Sequence, residues 1–126
     1  MSTVHAYRCR VGWSGSTGEG YPAYSREDGA AAPPGETELR PSADPAFLGD
    51  AARLNPEQLL LVAASSCRLL SFLAIAARAR IDVVAYDDGA EATMPEDAEP
   101  VRIAAITLRP TIVVPATWTS SASFAT

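Results

Sequence analysis

The chain has 126 residues and a mass of 13.2 kDa, enough for one buried core and not two. Its formal net charge is −5 and all ten basic residues are scattered arginines, so no cationic run marks a surface for nucleic acid or an anionic membrane. Residues 1–20 lack the apolar run of a signal peptide, and two cysteines do not make a disulfide framework. A reducing cytoplasm is the expected setting.

Residues 5–13 alternate, with His5, Tyr7, Cys9, Val11 and Trp13 on one side and Arg8 and Arg10 on the other, as a half-buried strand does. Residues 12–20 read as a Gly/Ser-rich turn, 21–26 as a second strand pairing back, and 28–34 as a loop around Pro33-Pro34. Residues 38–41 supply a short third strand, and 42–54 form an irregular lead-in. Asn55 then has the character of an N-cap, Pro56 suits the first helical position, and Glu57 complements the positive end of the dipole. From Leu59 to Ala79 there is no Gly or Pro, so a helix of about six to seven turns is expected. Being apolar nearly all round, it should be surrounded by protein, with the thiol of Cys67 deep in an apolar surface. Arg68, Ser65, Ser66 and Ser71 make membrane insertion costly. Residues 82–90 and 101–114 alternate as a hairpin joined by an acidic loop containing Met94-Pro95-Glu96-Asp97. The class is α+β, with antiparallel strands packed around one long, central, buried helix.

The Asn55-Pro56-Glu57 helix start, with Cys67 ten residues beyond the glutamate, resembles the OsmC/Ohr family of thiol-dependent peroxidases. Trp13-Ser14-Gly15 followed by Gly18-Glu19-Gly20-Tyr21, the lead-in Ala46-Phe47-Leu48-Gly49-Asp50, and Ile81-Asp82-Val83-Val84-Ala85-Tyr86 extend it. The resemblance runs from about His5 to Val114 and implies an intertwined homodimer. Residues 1–114 are accordingly read as the OsmC-like domain. The family pattern next calls for a helix with a second, resolving cysteine, whereas residues 115–126 read as an irregular tail without one. A truncation or a frameshift near position 115 is the expectation there, since a GC-rich coding sequence, as the all-arginine usage suggests, gives a helix-like pattern in another frame.

The chemistry implied is attack of a thiolate on the O–O bond of an organic hydroperoxide, leaving a sulfenic acid. Cys67 is the candidate attacker, and its apolar neighbours disfavour the anion unless a cation offsets them. In the family an arginine held by the helix-start glutamate does so, which assigns Glu57 as the anchor. Some members place that arginine just before the Phe-x-Gly lead-in, where Ala46 stands here. Others take it from the early strand and turn region, for which Arg26 is the nearest candidate; Arg40 and Arg53 remain alternatives. Arg68 points about 100° away from Cys67 around the helix. Glu57 and Cys67 are ~15 Å apart along a straight helix and about 80° apart around it. Either the helix breaks, or one site draws on two chains, so a homodimer with sites at the subunit interface is expected.

Plainer roles stand beside these. Cys67 can be a small core hydrophobe and Glu57 a dipole-complementing carboxylate. Cys9 reads as a packing residue, and as a resolving thiol only if its Cα lies ~4.4–6.8 Å from that of Cys67. Tyr21, Tyr24, Phe47 and Phe72 are candidates for a hydroperoxide pocket or for the core. His5 alone cannot build a zinc site or a Ser/His triad, and Gly15, Gly18 and Gly20 lie between strands, so no metal or cofactor is expected. Two functions follow: a peroxidase reduced by an external dithiol, or a non-catalytic dimer binding a small hydrophobic ligand.

Overall fold

Asn55 caps the only long helix of the chain's described residues, and it does so reciprocally with Gln58. The Asn55 Oδ1 accepts from the Gln58 N–H and the Gln58 Oε1 accepts from the Asn55 N–H, both at 2.8 Å. This capping box satisfies two amides that have no partner within the helix. The helix, α1, spans Pro56–Arg78 without a break. The computed structural model describes residues 4–116, so the expectation for the tail at 115–126 falls almost wholly outside them. The chain divides into two compact units, Met1–Leu59 and Leu60–Thr126.

In the first unit, β1 (Arg10–Gly12) pairs antiparallel with β2 (Gly29–Ala31), Arg10 opposite Ala31 and Gly12 opposite Gly29. The strand expected over 5–13 is therefore paired over three residues only, and both of its faces are exposed. Its partner is short because Pro33 and Pro34 follow, and proline cannot donate to a ladder. Residues 28–34, expected as loop, thus supply β2. Residues 21–26, expected as a strand, do not pair: Tyr21–Ala23 is a single 3-10 turn with proline at its start. The Arg26 guanidinium donates to the carbonyl oxygens of Tyr24 and Tyr21, acceptors that a strand would have offered to a neighbour. The third strand expected near 38–41 is an isolated bridge, with Leu39 and Ala30 exchanging hydrogen bonds of 2.9 Å.

The irregular lead-in is held by its own polar groups. Buried Ser42 donates its N–H to the Leu54 carbonyl at 2.9 Å, and its Oγ accepts from the Asp50 N–H at 3.1 Å. Asp44 caps a 3-10 turn, Pro45–Phe47, and Leu48 leaves it in the left-handed region at φ 64. Gly49 follows so close to the Ala43 carbonyl that any Cβ there would overlap it, which explains glycine at this point of the lead-in.

In the second unit, α1 lies against β3 (Ala85–Asp88). Ser65, Leu69, Phe72 and Ala76 fall on one helix face. Ser65 Oγ donates to Asp88 Oδ2 at 2.6 Å, and the Phe72 and Tyr86 rings lie 5.9 Å apart. β4 (Glu91–Thr93), β5 (Ala105–Thr107) and β6 (Pro110–Val113) complete the expected hairpin, with β3 paired to β6 and β4 to β5, both antiparallel. Asp88 stands opposite Pro110 and Glu91 opposite Thr107, so one register runs through both pairs. The ladder is interrupted between them because Pro110 has no N–H, and Asp88 Oδ1 takes the Arg109 N–H at 2.7 Å instead. At the helix end Arg80 sits at φ 60 while the Ile81 N–H reaches back to the Ala76 carbonyl at 2.9 Å, a Schellman closure without its usual glycine.

Cover for α1 is where expectation and structure part. Ala76 is the one buried hydrophobic residue among the described residues. Leu60, Val62, Leu70 and Ile75 are 52%, 59%, 62% and 61% exposed. Among the described residues, a helix with mean hydropathy 2.1 thus lacks the surroundings its composition calls for.

Candidate functional site

Two of the three candidate catalytic residues, Arg26 and Glu57, line one cleft of about 420 Å³ in the first unit. Trp13, Tyr24 and Phe47 give it an aromatic wall, and the start of α1 contributes Pro56 and Glu57. Trp13 is fixed by donating its indole N–H to the Ser25 carbonyl at 2.9 Å, and its ring meets Tyr24 edge-on at 6.1 Å. Gly15 belongs to that seat, because a Cβ there would lie 2.8 Å from the indole.

Arg26 is held by aromatic and carbonyl groups. Its guanidinium carbon lies 3.6 Å from the centre of the Tyr24 ring and 4.6 Å from that of Tyr21, and the same two residues take its hydrogen bonds. Such cation–π contacts fix an arginine in place without neutralising it. Glu57 forms no ion pair, with Arg26 or any other cation, among the described residues. The alternatives are committed elsewhere in the same unit. Arg53 contacts Glu27 at 3.4 Å and Asp50 at 3.6 Å, and Arg40 contacts Glu27 at 3.9 Å; neither lines the cleft.

Sequence reasoning missed Asp28 and Asp44 in this cleft. Asp28 is placed by its N–H on the Pro41 carbonyl at 3.0 Å, and Asp44 Oδ1 accepts from the Ala46 N–H at 2.8 Å. The position of Asp44, one residue before Pro45 in an Asp-Pro start, was the available signal. Among the aromatic candidates, Tyr24 and Phe47 line the cleft, Tyr21 stacks on Arg26, and Phe72 packs on Tyr86 in the second unit.

Cys67 belongs to the second unit and is free and exposed, as is Cys9 in the first. The deep apolar burial expected for its thiol is not found among the described residues. Nine residues of helix put it about 180° from Ala76, the face turned to β3, and bring Leu60 and Leu70 to its own side. A second cleft of about 380 Å³, lined by Leu61, Ser65, Leu69, Tyr86 and Asp88, lies on the far side of α1 from it. Because α1 is unbroken, the ~15 Å separation of Glu57 and Cys67 along the axis is not shortened by a kink.

The family model for OsmC-like proteins matches residues 49–122, more than half of the chain. Among solved structures, an OsmC-like protein of unknown function from Vibrio cholerae O1 biovar eltor str. N16961 is similar, with a TM-score of 0.80 and 27% sequence identity. The match covers 94% of this chain and 80% of that one. No curated protein matched. The chain belongs to the OsmC-like family, and the resemblance read from Asn55-Pro56-Glu57 and Cys67 is borne out at that level.

Proposed function

We propose that this protein is a cysteine-based peroxidase that reduces organic hydroperoxides in the cytoplasm, in defence against oxidative stress. The observation that carries the reading is the cleft in which Arg26 and Glu57 stand together, in an OsmC-like chain whose Cys67 thiol is free and exposed. The thiolate of Cys67 donates an electron pair to the distal peroxide oxygen and the O–O bond breaks. Sulfur is oxidised to sulfenic acid, and the departing alkoxide takes a proton and leaves as the alcohol. An external dithiol then attacks the sulfenic sulfur. It releases water, forms its own disulfide and restores the thiol.

Arg26 is the cation assigned to stabilise the thiolate and the departing oxygen, and Glu57 is the carboxylate that orients it once substrate is bound. With Glu57 and Cys67 far apart along one straight helix, the site is assigned to a homodimer, the cleft of one protomer serving the thiol of its partner. The uncovered stripe of Leu60, Cys67 and Leu70 supports that arrangement. A second reading, a non-catalytic dimer that binds a small hydrophobic ligand, is favoured by the engagement of Arg26 with backbone carbonyls instead of Glu57. Turnover of cumene hydroperoxide with dithiothreitol separates the two. The peroxidase reading expects Cys67→Ser to abolish turnover and Cys9→Ser to keep about half of it or more, because Cys9 is exposed and does not line the cleft. Equal loss from both would overturn the assignment of roles.

A further inference from the structure

We infer that Tyr24, braced by Tyr21 and Trp13, is a positioning residue: its ring, with the carbonyl oxygens of Tyr24 and Tyr21, holds the Arg26 guanidinium at the cleft without neutralising its charge. The inference rests on the peroxidase reading for the anion that Arg26 serves, the thiolate of Cys67. It adds the Tyr21-x-x-Tyr24-x-Arg26 stretch as the part of the chain that sets where that cation stands.

The seat is local. Gly20, at φ 97, leads into the 3-10 turn, Pro22 restricts the backbone of that turn, and the Ala23 N–H closes it on the Gly20 carbonyl at 3.1 Å. Tyr24 then leaves the turn extended, at φ −99 and ψ 154, so its side chain and that of Arg26, two residues on, project to the same side. The guanidinium carbon thus comes to rest 3.6 Å from the centre of the Tyr24 ring. That ring is itself braced, since Trp13 and Tyr21 each meet it in an edge contact with ring centres 6.1 Å away. The Trp13 indole N–H, bonded to the carbonyl of Ser25, ties the brace to the residue between Tyr24 and Arg26.

The seat contains no carboxylate. Ion pairs among the described residues are formed by Arg40, Arg53 and Arg109, and Arg26 is in none of them. A carboxylate would fix the arginine and cancel much of its field, whereas a ring face and two carbonyl dipoles fix it and leave the charge to act on an anion. Two of the five N–H donors of the guanidinium are engaged, and the others make no hydrogen bond among the described residues. Both bonds go to main-chain carbonyls and neither uses a tyrosine hydroxyl, so the ring face is the side-chain contribution of position 24. Cation–π contacts of this kind are worth about two- to thirtyfold in an equilibrium constant.

The test is the pH dependence of alkylation of the full chain by iodoacetamide, read separately at Cys67 and Cys9 by peptide mass mapping. Arg26→Gln is expected to slow Cys67 on the acid side of its profile and to move the midpoint upward, because the thiolate loses its cation. Tyr24→Leu should act in the same direction by about three- to tenfold, a midpoint shift of about half to one pH unit, and Tyr24→Phe, which keeps the ring face, should recover most of that loss. Cys9, exposed and outside the cleft, keeps one profile throughout, and circular dichroism reports whether α1 persists. If Tyr24→Leu loses the helix signal, Tyr21→Leu decides instead, with about a twofold effect in the same direction, since its ring is more distant at 4.6 Å and half exposed. A Cys67 midpoint that stays put or falls in the deciding variant overturns the inference. So does a Tyr24→Phe profile no better than that of Tyr24→Leu, or an Arg26→Gln profile equal to wild type. Turnover of cumene hydroperoxide is read apart from alkylation. The expected shifts in a protein that reduces no hydroperoxide sink the peroxidase reading alone, and turnover with an unmoved Tyr24→Leu profile sinks the positioning role alone.

Discussion

Replacing Leu70 with aspartate separates a lone chain from a dimer that covers the Cys67 side of α1. Leu70 is 62% exposed, so in a single chain Leu70→Asp should change stability by no more than about 0.5 kcal/mol. The dimer gives another answer. Leu60, Leu70 and Ile75 lie within about 80° of Cys67 around the helix. They are 52%, 62% and 61% exposed. Full burial of such a side chain is worth about 1.5–3 kcal/mol, so covering the exposed part yields about 1–2 kcal/mol each. Three residues on two chains contribute roughly 6–12 kcal/mol, of the same order as the cost of association, about 4–15 kcal/mol. Aspartate at position 70 removes one of these contributions from each chain and adds the desolvation of a charge. Each copy should lose about 3 kcal/mol or more, and the dimer more than about ten-thousandfold in Kd. Sedimentation velocity across a wide concentration range reads this directly, with circular dichroism to confirm that the helix persists. A wild-type chain that stays monomeric, or a Leu70→Asp chain that remains as dimeric as wild type, would refute the reasoning.

Two further outcomes follow from the second unit. Asp88 accepts from both Ser65 Oγ and the Arg109 N–H. Hydrogen bonds to a charged group are worth about 1.5–3 kcal/mol, and partial exposure favours the lower end, so Asp88→Ala should cost about 3 kcal/mol in urea unfolding. A double-mutant cycle with Ser65→Ala should return about 1 kcal/mol of coupling, and additive losses would remove Asp88 as the tie between helix and hairpin. Arg80 occupies the left-handed position that ends α1, where a non-glycine residue costs about 1–2 kcal/mol before the chain-entropy gain it brings. Arg80→Gly should stabilise by about 0.5 kcal/mol, and a lower urea midpoint would contradict the closure described.

Much of α1 and of the hairpin after it was legible because the signals are local. Asn55, Pro56 and the unbroken apolar run fixed the start and extent of α1, and Gln58, three residues after the cap, was a readable capping-box partner. Alternation located the hairpin, though not its interruption, which depends on Pro110 facing Asp88 across the register. The first unit was read less well. Arg26 withdraws the carbonyls of Tyr21 and Tyr24 from any ladder, a side-chain event that alternation does not encode. Arg26 and Glu57 were chosen through the family resemblance and do line one cleft. The carboxylates beside them arrive from Asp28 and Asp44, brought together by the irregular stretch around Ser42. The exposure of Cys67 is invisible to periodicity for another reason. A helix apolar on every face states that it will be covered and not by which chain.

The central claim is that Cys67 is the thiol that reacts with a hydroperoxide. Intact mass of the reduced protein, before and after brief exposure to cumene hydroperoxide with the modified residue mapped, tests it most directly. The account expects rapid gain of one oxygen at Cys67, returned to the starting mass by a dithiol, with Cys9 unmodified on the same timescale. An unchanged mass, or oxidation that falls on Cys9 as fast as on Cys67 although both thiols are exposed, would contradict it.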